Sequence, residues 1–279
     1  MAPFEFRGLD ESNWLAVCAC GHVDRYDERQ VESRRCYLEE EAANGVRVVV
    51  AHLDGQPVGF VEVVPIERAA RDVHGEGALL VHCVTVFQKG LGVGRALIDE
   101  ASRLALTQSR DLVVDALAGV YGFMPVEFFS RLGFELVETR GTRRLMVKRL
   151  GRSTGEKPAR RIAAYMHPTY TFEPVPGAVV VDVFFTPLCT GQWSPEAAIM
   201  REAARPYGDR VVVRVYNCGD LAVRRRYGIA RAVFVNGVMR PNGDVITLEE
   251  ARRLLERAFA EPPVPGGGPR WDDTISRLF

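Results

Sequence analysis

Lysine is nearly missing from this chain: only Lys89, Lys148 and Lys157 stand among 36 basic residues, an arginine bias that reads as genomic composition rather than function. Surplus charge is missing altogether, because 36 acidic residues balance the basic ones and the formal net charge is +0. Without a global field, nothing recommends a nucleic acid or an anionic membrane as partner. The run Arg224 to Arg226 reads as a solvated helix face. No apolar run approaches the roughly 18 residues that a membrane span needs. The opening MAPFEFRGLDESNW has no basic stretch followed by an apolar one, so no signal peptide is expected. A soluble, cytoplasmic protein is the expectation. Six cysteines (18, 20, 36, 83, 189 and 218) are spread too thinly for a secreted disulfide framework, and reduced thiols are the default. Cys18, Cys20 and His22 form a C-x-C-x-H that matches no common structural-zinc spacing, so no metal is expected.

What is present is an ordinary globular composition, 47% hydrophobic and 26% charged over 279 residues. At roughly 100–200 residues per domain, that length predicts two domains. Trp14, Leu15 and Val17, then Tyr37 and Leu38, carry helical spacing and predict two short helices within residues 10 to 44. VRVVVAHLDGQPVGFVEVVP then reads as a hairpin turning at Asp54-Gly55, where glycine supplies positive φ. Further elements are expected as a strand over 78–87, a helix over 91–107, a strand over 111–116, a helix over 125–132 and two closing strands over 134–148. Residues 151–178, with scattered proline and glycine, read as a connection. A second pattern, β-α-β-α-β-β-α, occupies 179–260: strands at VVVDVFFTPL and RVVVRVYN, helices over 195–205 and 220–227, a hairpin turning at Asn236-Gly237, and a helix over 248–259. The tail, 261–279, is rich in proline and glycine, with Trp271 and Leu278 as its possible anchors.

The stretch VTVFQKGLGVGRALIDEA carries the strongest chemical signal. A glycine-rich turn between a strand and a helix presents unpaired backbone N–H groups at the positive end of the helix dipole, a natural seat for phosphate. It is not the ATP/GTP P-loop, since Gly94 is followed by Arg95 and Ala96 rather than by Lys and a hydroxyl residue. Nor is it the dinucleotide fingerprint G-x-G-x-x-G, because Gly90, Gly92 and Gly94 alternate and a hairpin precedes the strand. A turn that wraps a pyrophosphate without metal remains.

Lys89-Gly90-Leu91-Gly92-Val93-Gly94 resembles the [Gln/Arg]-x-x-Gly-x-[Gly/Ala] turn of the Gcn5-related N-acetyltransferases, with Lys89 where Gln or Arg is usual. The element order over 1–150 and the segment FFSRLGFE, similar to that family's F-Y-x-x-x-G-F, agree with it. DVFFTPLCTGQWSPEAAIMREAA and RAVFVNGV, together with VEVVPIE and FMPVEFF, resemble the YoaP-type branch, bacterial acetyltransferases with an appended thioredoxin-like module. The implied fold is α/β (α+β): a mixed sheet flanked by helices over 1–150, a linker over 151–178, then the smaller thioredoxin-like domain over 179–260.

The resemblance implies acetyl-CoA as co-substrate and direct transfer of its acetyl group to a small-molecule, peptide or protein amine. It places the pantetheine arm along Val84, Thr85 and Val86, and the pyrophosphate on the N–H groups of Leu91 to Gly94, aided by Lys89 and Arg95. Phe129 falls at the cofactor, where many members carry the tyrosine that protonates the departing thiolate. Its missing hydroxyl leaves water, Tyr121 or Cys83 as donor. For the base, Glu62 is favoured if its surroundings raise its pKa, with His82 and Glu67 behind it. The plainer reading of Glu62 is a solvated strand carboxylate. In the second half Cys189 sits where a strand meets a helix, but CTGQ has no second cysteine and GIARAVFV lacks the expected proline, so dithiol chemistry is not expected. Alternatives of another class are a non-catalytic acyl-CoA sensor and a monothiol redox element at Cys189.

Overall fold

The computed structural model describes residues 4–21, 28–119, 124–150, 162–186, 196–240, 246–261 and 270–271. The chain forms two compact units, Met1–Ala69 with Val73–Tyr165, and Ala70–Asp72 with Met166–Phe279. The expected α/β class is what the structure has: a large mixed sheet flanked by helices, then a smaller sheet.

In the first unit the order is β1 (Glu5–Arg7), α1 (Trp14–Cys18), α2 (Glu28–Ala42), β2 (Arg47–Leu53), β3 (Gln56–Pro65), β4 (Val73–Gly75), β5 (Ala78–Val86), α3 (Val93–Thr107), β6 (Asp111–Leu117), α4 (Val126–Arg131), β7 (Glu135–Arg140), β8 (Arg143–Lys148) and β9 (Ala163–Tyr165). Seven of the strands form one sheet in the order β1-β2-β3-β5-β6-β8-β7. All neighbours are antiparallel except β5 and β6. That pair is joined by α3, as a parallel connection requires a crossover. The β2–β3 hairpin turns where expected, with Asp54 at φ +51 and Gly55 at φ +77, the pair of left-handed residues that a type I′ turn demands. Strands β4 and β9 pair separately, and β9 lies within the stretch read from sequence as a connection.

Helix α3 presents Val93, Leu97, Ile98, Ala101 and Ala105 along one stripe, packed on Val61, Val63, Leu79 and Val81 of the sheet. The spacing is that of an amphipathic helix. The opposite face of β3 is buried as well: Phe60, Glu62 and Val64 are fully enclosed, and Arg34 of α2 lies over the Phe60 ring at 5.9 Å. Burial on both faces explains why VEVVP shows little alternation. Gly59 answers a close approach. A Cβ there would stand 2.6 Å from the Thr85 carbonyl oxygen and 3.0 Å from Val93.

The second unit runs β10 (Val179–Phe185), α5 (Glu196–Ala204), β11 (Val211–Asn217), α6 (Leu221–Tyr227), β12 (Ala232–Val235), β13 (Val238–Met239), α7 (Leu248–Ala260) and β14 (Arg270–Trp271). The sheet order is β11-β10-β12-β13-β14. β10 is parallel to β11 and antiparallel to β12, and β12 is antiparallel to β13. The backbone of Trp271 pairs with that of Met239, while Leu278 lies outside the described residues. Val181 and Val183 join Met200, Ala203, Ala251 and Leu255 in one core. Phe184 joins Tyr170, Phe234 and Cys218 in another. Within the sheet the buried Asp182 carboxylate accepts from Tyr170 (2.6 Å), Arg214 (2.6 and 2.8 Å) and Tyr216 (3.2 Å). Burial and that carboxylate push the Tyr216 phenol up to about 12. Asn236-Gly237 makes the expected turn, and the Asn236 side chain accepts from Val180 N–H at 2.9 Å. Thr247 caps α7 by accepting from Glu250 N–H.

Gly59→Ala should destabilise the protein by about 1–3 kcal/mol, because a backbone oxygen cannot swing aside as a side-chain tip does. Urea unfolding measures it, and an unchanged midpoint would contradict the packing described.

Candidate functional site

Strands β5 and β6 start together and part. Their parallel register runs from Ala78↔Asp111 to Val81↔Val114. Beyond it β5 continues to Val86 along β3, and β6 continues to Leu117 along β8. Each prong of this fork is thus held from its outer side. The first six residues of β5 are buried and Val84, Thr85 and Val86 are half-buried. A β-bulge sits where the strands diverge: Glu62 pairs with Cys83 and Val63 with Val81, so His82 is the extra residue. A bulge bends its strand and sharpens the local twist.

The glycine turn lies at the open end of β5. Gly90 (φ +87) and Gly92 (φ +79) are left-handed, and a Cβ on either would meet nothing within 4 Å. Conformation, not space, demands glycine at both. Gly94 differs: its Cβ would stand 3.2 Å from the Phe128 ring and 3.4 Å from Val86, so here glycine lets the helix start close to α4 and β5. Gly92 is the N-cap of α3, and the first intrahelical bond at this end runs from Ala96 N–H to Gly92 C=O at 3.1 Å. The amides of Val93 to Arg95 therefore have no acceptor inside the helix. Val93 is buried and anchors the turn, while Lys89, Gly90, Leu91, Gly92 and Arg95 are exposed. This arrangement of amides, helix dipole and two cations suits a phosphate group.

On the sheet face toward α2, Glu62 accepts from Arg34 at 2.8 Å and lies 3.0 Å from His82 Nδ1. The three side chains are 0%, 1% and 0% exposed in that order. Glu62 is thus no solvated strand carboxylate. Burial by itself would raise its pKa, but the Arg34 charge and the His82 contact outweigh it and hold the carboxyl below its ordinary value. The raised pKa on which a base role for Glu62 was conditioned is therefore not what its surroundings provide. Glu67 stands elsewhere, half-buried, bound to Arg110 at 2.9 Å and to Gly77 N–H at 2.9 Å. Burial opposes and these partners lower its pKa, which makes it an anchor for its turn.

Phe129 is fully buried, edge-on to Phe128 (5.1 Å) and Phe134 (5.3 Å) in the core under α3. Cys83 Sγ lies 3.3 Å from Thr85 Oγ1. Tyr121, His22 and Cys189 lie outside the described residues. Cys18 is buried at the end of α1, and burial pushes its thiol up to about 11. Gly21, left-handed at φ +76, packs against the Phe87 ring that follows β5. The CACG stretch thereby brings α1 against the approach to the glycine turn.

Two groups escaped the sequence reading. Arg34 stands among Val31, Tyr37 and Leu38 on the buried stripe of α2, and a charge inside an apolar stripe was the available signal. Asp115, the first residue of β6 past the ladder, binds Arg143 and accepts from Tyr165 at 2.8 Å, and the rings and guanidiniums of Tyr165, Arg140 and Arg143 stack at 4.4 and 4.9 Å. Tyr165 comes from β9, so no local pattern links it to β6.

The Glu62 pKa has a stability consequence. A carboxyl depressed in the folded state contributes stability that is fully present above its ordinary value, 4.5, and is lost as pH falls through the folded value. Glu62→Gln removes the buried carboxylate to which Arg34 donates and should cost about 3–5 kcal/mol at neutral pH. The gap to wild type should narrow below pH 4.5. Urea titrations between pH 7 and 3 measure it, and a gap independent of pH would contradict the depressed value.

No protein-family model matches the chain, and no curated protein matches it. Solved structures similar to it include the PaiA N-acetyltransferase of Thermoplasma acidophilum in complex with coenzyme A, at 15% identity and TM-score 0.38, covering 52% of this chain and 98% of that one. The ribosomal-protein-alanine N-acetyltransferase of Brucella melitensis is similar at 22% identity and TM-score 0.41, covering 52% of this chain and 99% of that one. YncA of Salmonella typhimurium, a putative acetyltransferase with its cofactor acetyl-CoA, is similar at 15% identity and TM-score 0.42, with 56% of this chain and 99% of that chain covered.

Proposed function

We propose that the first unit binds acetyl-CoA and transfers its acetyl group directly to an amine, in the manner of the Gcn5-related N-acetyltransferases. One observation carries the reading: a fork between parallel strands opens beside a glycine-lined helix N-terminus. A pantetheine arm is an extended chain with two amides, so it would lie in the fork as a short extra strand along Val84, Thr85 and Val86. The pyrophosphate would sit on the N–H groups of Leu91 to Gly94, with Lys89 and Arg95 supplying charge.

In the transfer, the amine nitrogen attacks the thioester carbonyl, the C–S bond breaks, the nitrogen gives up a proton and the thiolate takes one. Backbone N–H groups of β5 near the bulge would stabilise the oxyanion. Glu62, held as an anion by Arg34, orients His82, and the pair rather than Glu62 alone is our candidate for receiving the proton. Water, Tyr121 or Cys83 would return one to the thiolate. The buried ring of Phe129, without a hydroxyl, favours a second reading in which the unit binds acyl-CoA and does not turn it over. The acceptor is an amine of unspecified kind.

For the second unit we propose a thioredoxin-like module. The order β11-β10-β12-β13 with its single parallel pair at β10–β11 supports this, and the combination of the two units supports the YoaP-type branch. Among the described residues no helix is long and apolar enough to cross a membrane, and we place the protein in the cytoplasm on composition.

Calorimetric titration with acetyl-CoA tests the donor site. Wild type should bind, and Gly92→Val, a β-branched residue forced to φ +79, should weaken binding about 100-fold or more while the protein stays folded. A folded wild type that does not bind would overturn the reading. Coenzyme A release above background with a panel of amines would establish transfer. Binding without release would favour the sensor.

A further inference from the structure

We infer that Phe128 is the aromatic side chain that α4 contributes to the donor site: its ring forms an apolar platform for the segment of acetyl-CoA next to the pyrophosphate. This role rests on the reading of the fork as the acetyl-CoA site. The segment in question is a quaternary carbon bearing two methyl groups, set between the charged pyrophosphate and the first amide of the arm. Main-chain groups alone would leave those methyls in water, so an apolar surface at this point has apolar area to cover. Phe129, which the family resemblance places at the cofactor, is fully buried. Phe128 beside it is half-buried.

Gly94 and Val86 mark the two sides of that junction. Gly94 carries the last amide of the pyrophosphate seat, and Val86 is the first residue of β5 that the arm would meet. Both converge on the Phe128 ring: a Cβ on Gly94 would stand 3.2 Å from the tip of the ring and 3.4 Å from the Val86 side chain. Gly94 is not left-handed, unlike Gly90 and Gly92, so room for the ring and not conformation calls for glycine there. The place of α4 is fixed by the fork itself. Alternate residues of β6 turn their main chain toward β5, as Asp111 does in donating to Gly77 C=O at 3.1 Å. Leu117, six residues on, points the same way, but β5 has parted by then, and its N–H donates to Met124 C=O at 3.0 Å in a parallel bridge between Leu117 and Pro125. The approach to α4 thus takes the place that β5 vacates and closes the fork on its β6 side. Pro125 is the N-cap of α4 and accepts from Phe128 N–H at 3.1 Å, so the bridge also sets where Phe128 stands. Phe129 backs the Phe128 ring edge-on at 5.1 Å and is itself held edge-on by Phe134 at 5.3 Å.

The test compares wild type with Phe128→Ala, Phe128→Leu, Gly94→Ala and the double variant Gly94→Ala/Phe128→Leu, each shown to be folded by circular dichroism. Calorimetry reads three probes: acetyl-CoA; coenzyme A, which has the dimethyl segment and no acyl group; and ADP, which has the pyrophosphate and neither, read by its competition with coenzyme A. In Phe128→Ala, acetyl-CoA and coenzyme A should weaken by the same factor, about tenfold, with ADP within about threefold. Phe128→Leu, which keeps an apolar side chain and loses the ring, should lie between. Gly94→Ala should weaken both coenzymes by displacing the ring, while the double variant should bind them no worse than Phe128→Leu alone, a coupling that two separate effects would not give. Unchanged affinity for both coenzymes in Phe128→Ala would overturn the platform. So would an equal loss of ADP, which would assign the ring to the pyrophosphate seat as a whole, or a larger loss of acetyl-CoA than of coenzyme A, which would move it to the acyl end. Additive losses in the double variant would remove the ring from Gly94 and overturn the junction. If wild type binds neither coenzyme, the donor-site reading fails and the platform with it; a wild type that binds, beside variants that bind equally well, strikes the platform alone.

Discussion

The first unit depends on a single interrupted ladder. β5 and β6 share four register pairs, then each continues with its other neighbour, β3 or β8. Antiparallel partners on the outside let the strands part without losing all their hydrogen bonds, and so a sheet can keep an opening in its middle. An open sheet edge is ordinarily a liability. Here the opening stands between a bulge, a glycine turn and a helix N-terminus. Gly59, with no room for a Cβ against Thr85, keeps β3 close to the prong that would otherwise be least supported.

Electrostatics in this unit divide by burial. The cations of the turn, Lys89 and Arg95, are exposed to solvent. Glu62 is enclosed, and an isolated buried carboxylate would cost several kcal/mol or take up a proton. Arg34 and His82 reverse that balance, so the carboxyl of Glu62 lies below its ordinary value although burial alone would raise it. On the other prong Asp115 pairs with Arg143 and accepts a hydrogen bond from Tyr165. The face of the sheet opposite α3 thus carries a braced carboxylate on each side of the divergence.

The second unit uses a related device for another end. Asp182 lies in the middle of β10 and gathers two tyrosines and Arg214, while the valines on alternate positions of the same strand pack under α5 and α7. Polar and apolar positions alternate with the strand period, so one strand supplies an ionic centre to one face and a dry core to the other.

Local chemistry was legible because it depends on near neighbours. Asp54-Gly55 and Asn236-Gly237 specify their turns by φ alone, the stripe from Val93 to Ala105 specifies α3, and Gly90 and Gly92 mark left-handed positions before a helix. Most of the element order and the place of the glycine turn followed from those signals, while the short strands β1, β4 and β9, set by their pairing partners, did not. What an isolated sequence did not carry was the facing and partnership of single side chains. Glu62 read equally as base or solvated carboxylate, since the difference is made by Arg34, 28 residues earlier on another element. Tyr165 read as part of a connection, since its partner Asp115 lies 50 residues back. The bulge at His82 has no sequence signature at all: it is defined by register against β3. The sequence by itself determined the longer elements and the turn, because these are set over a few residues. Only the tertiary structure decided the fork, the bulge and the charge state of Glu62, because each arises from strands and helices that meet only once the chain is folded.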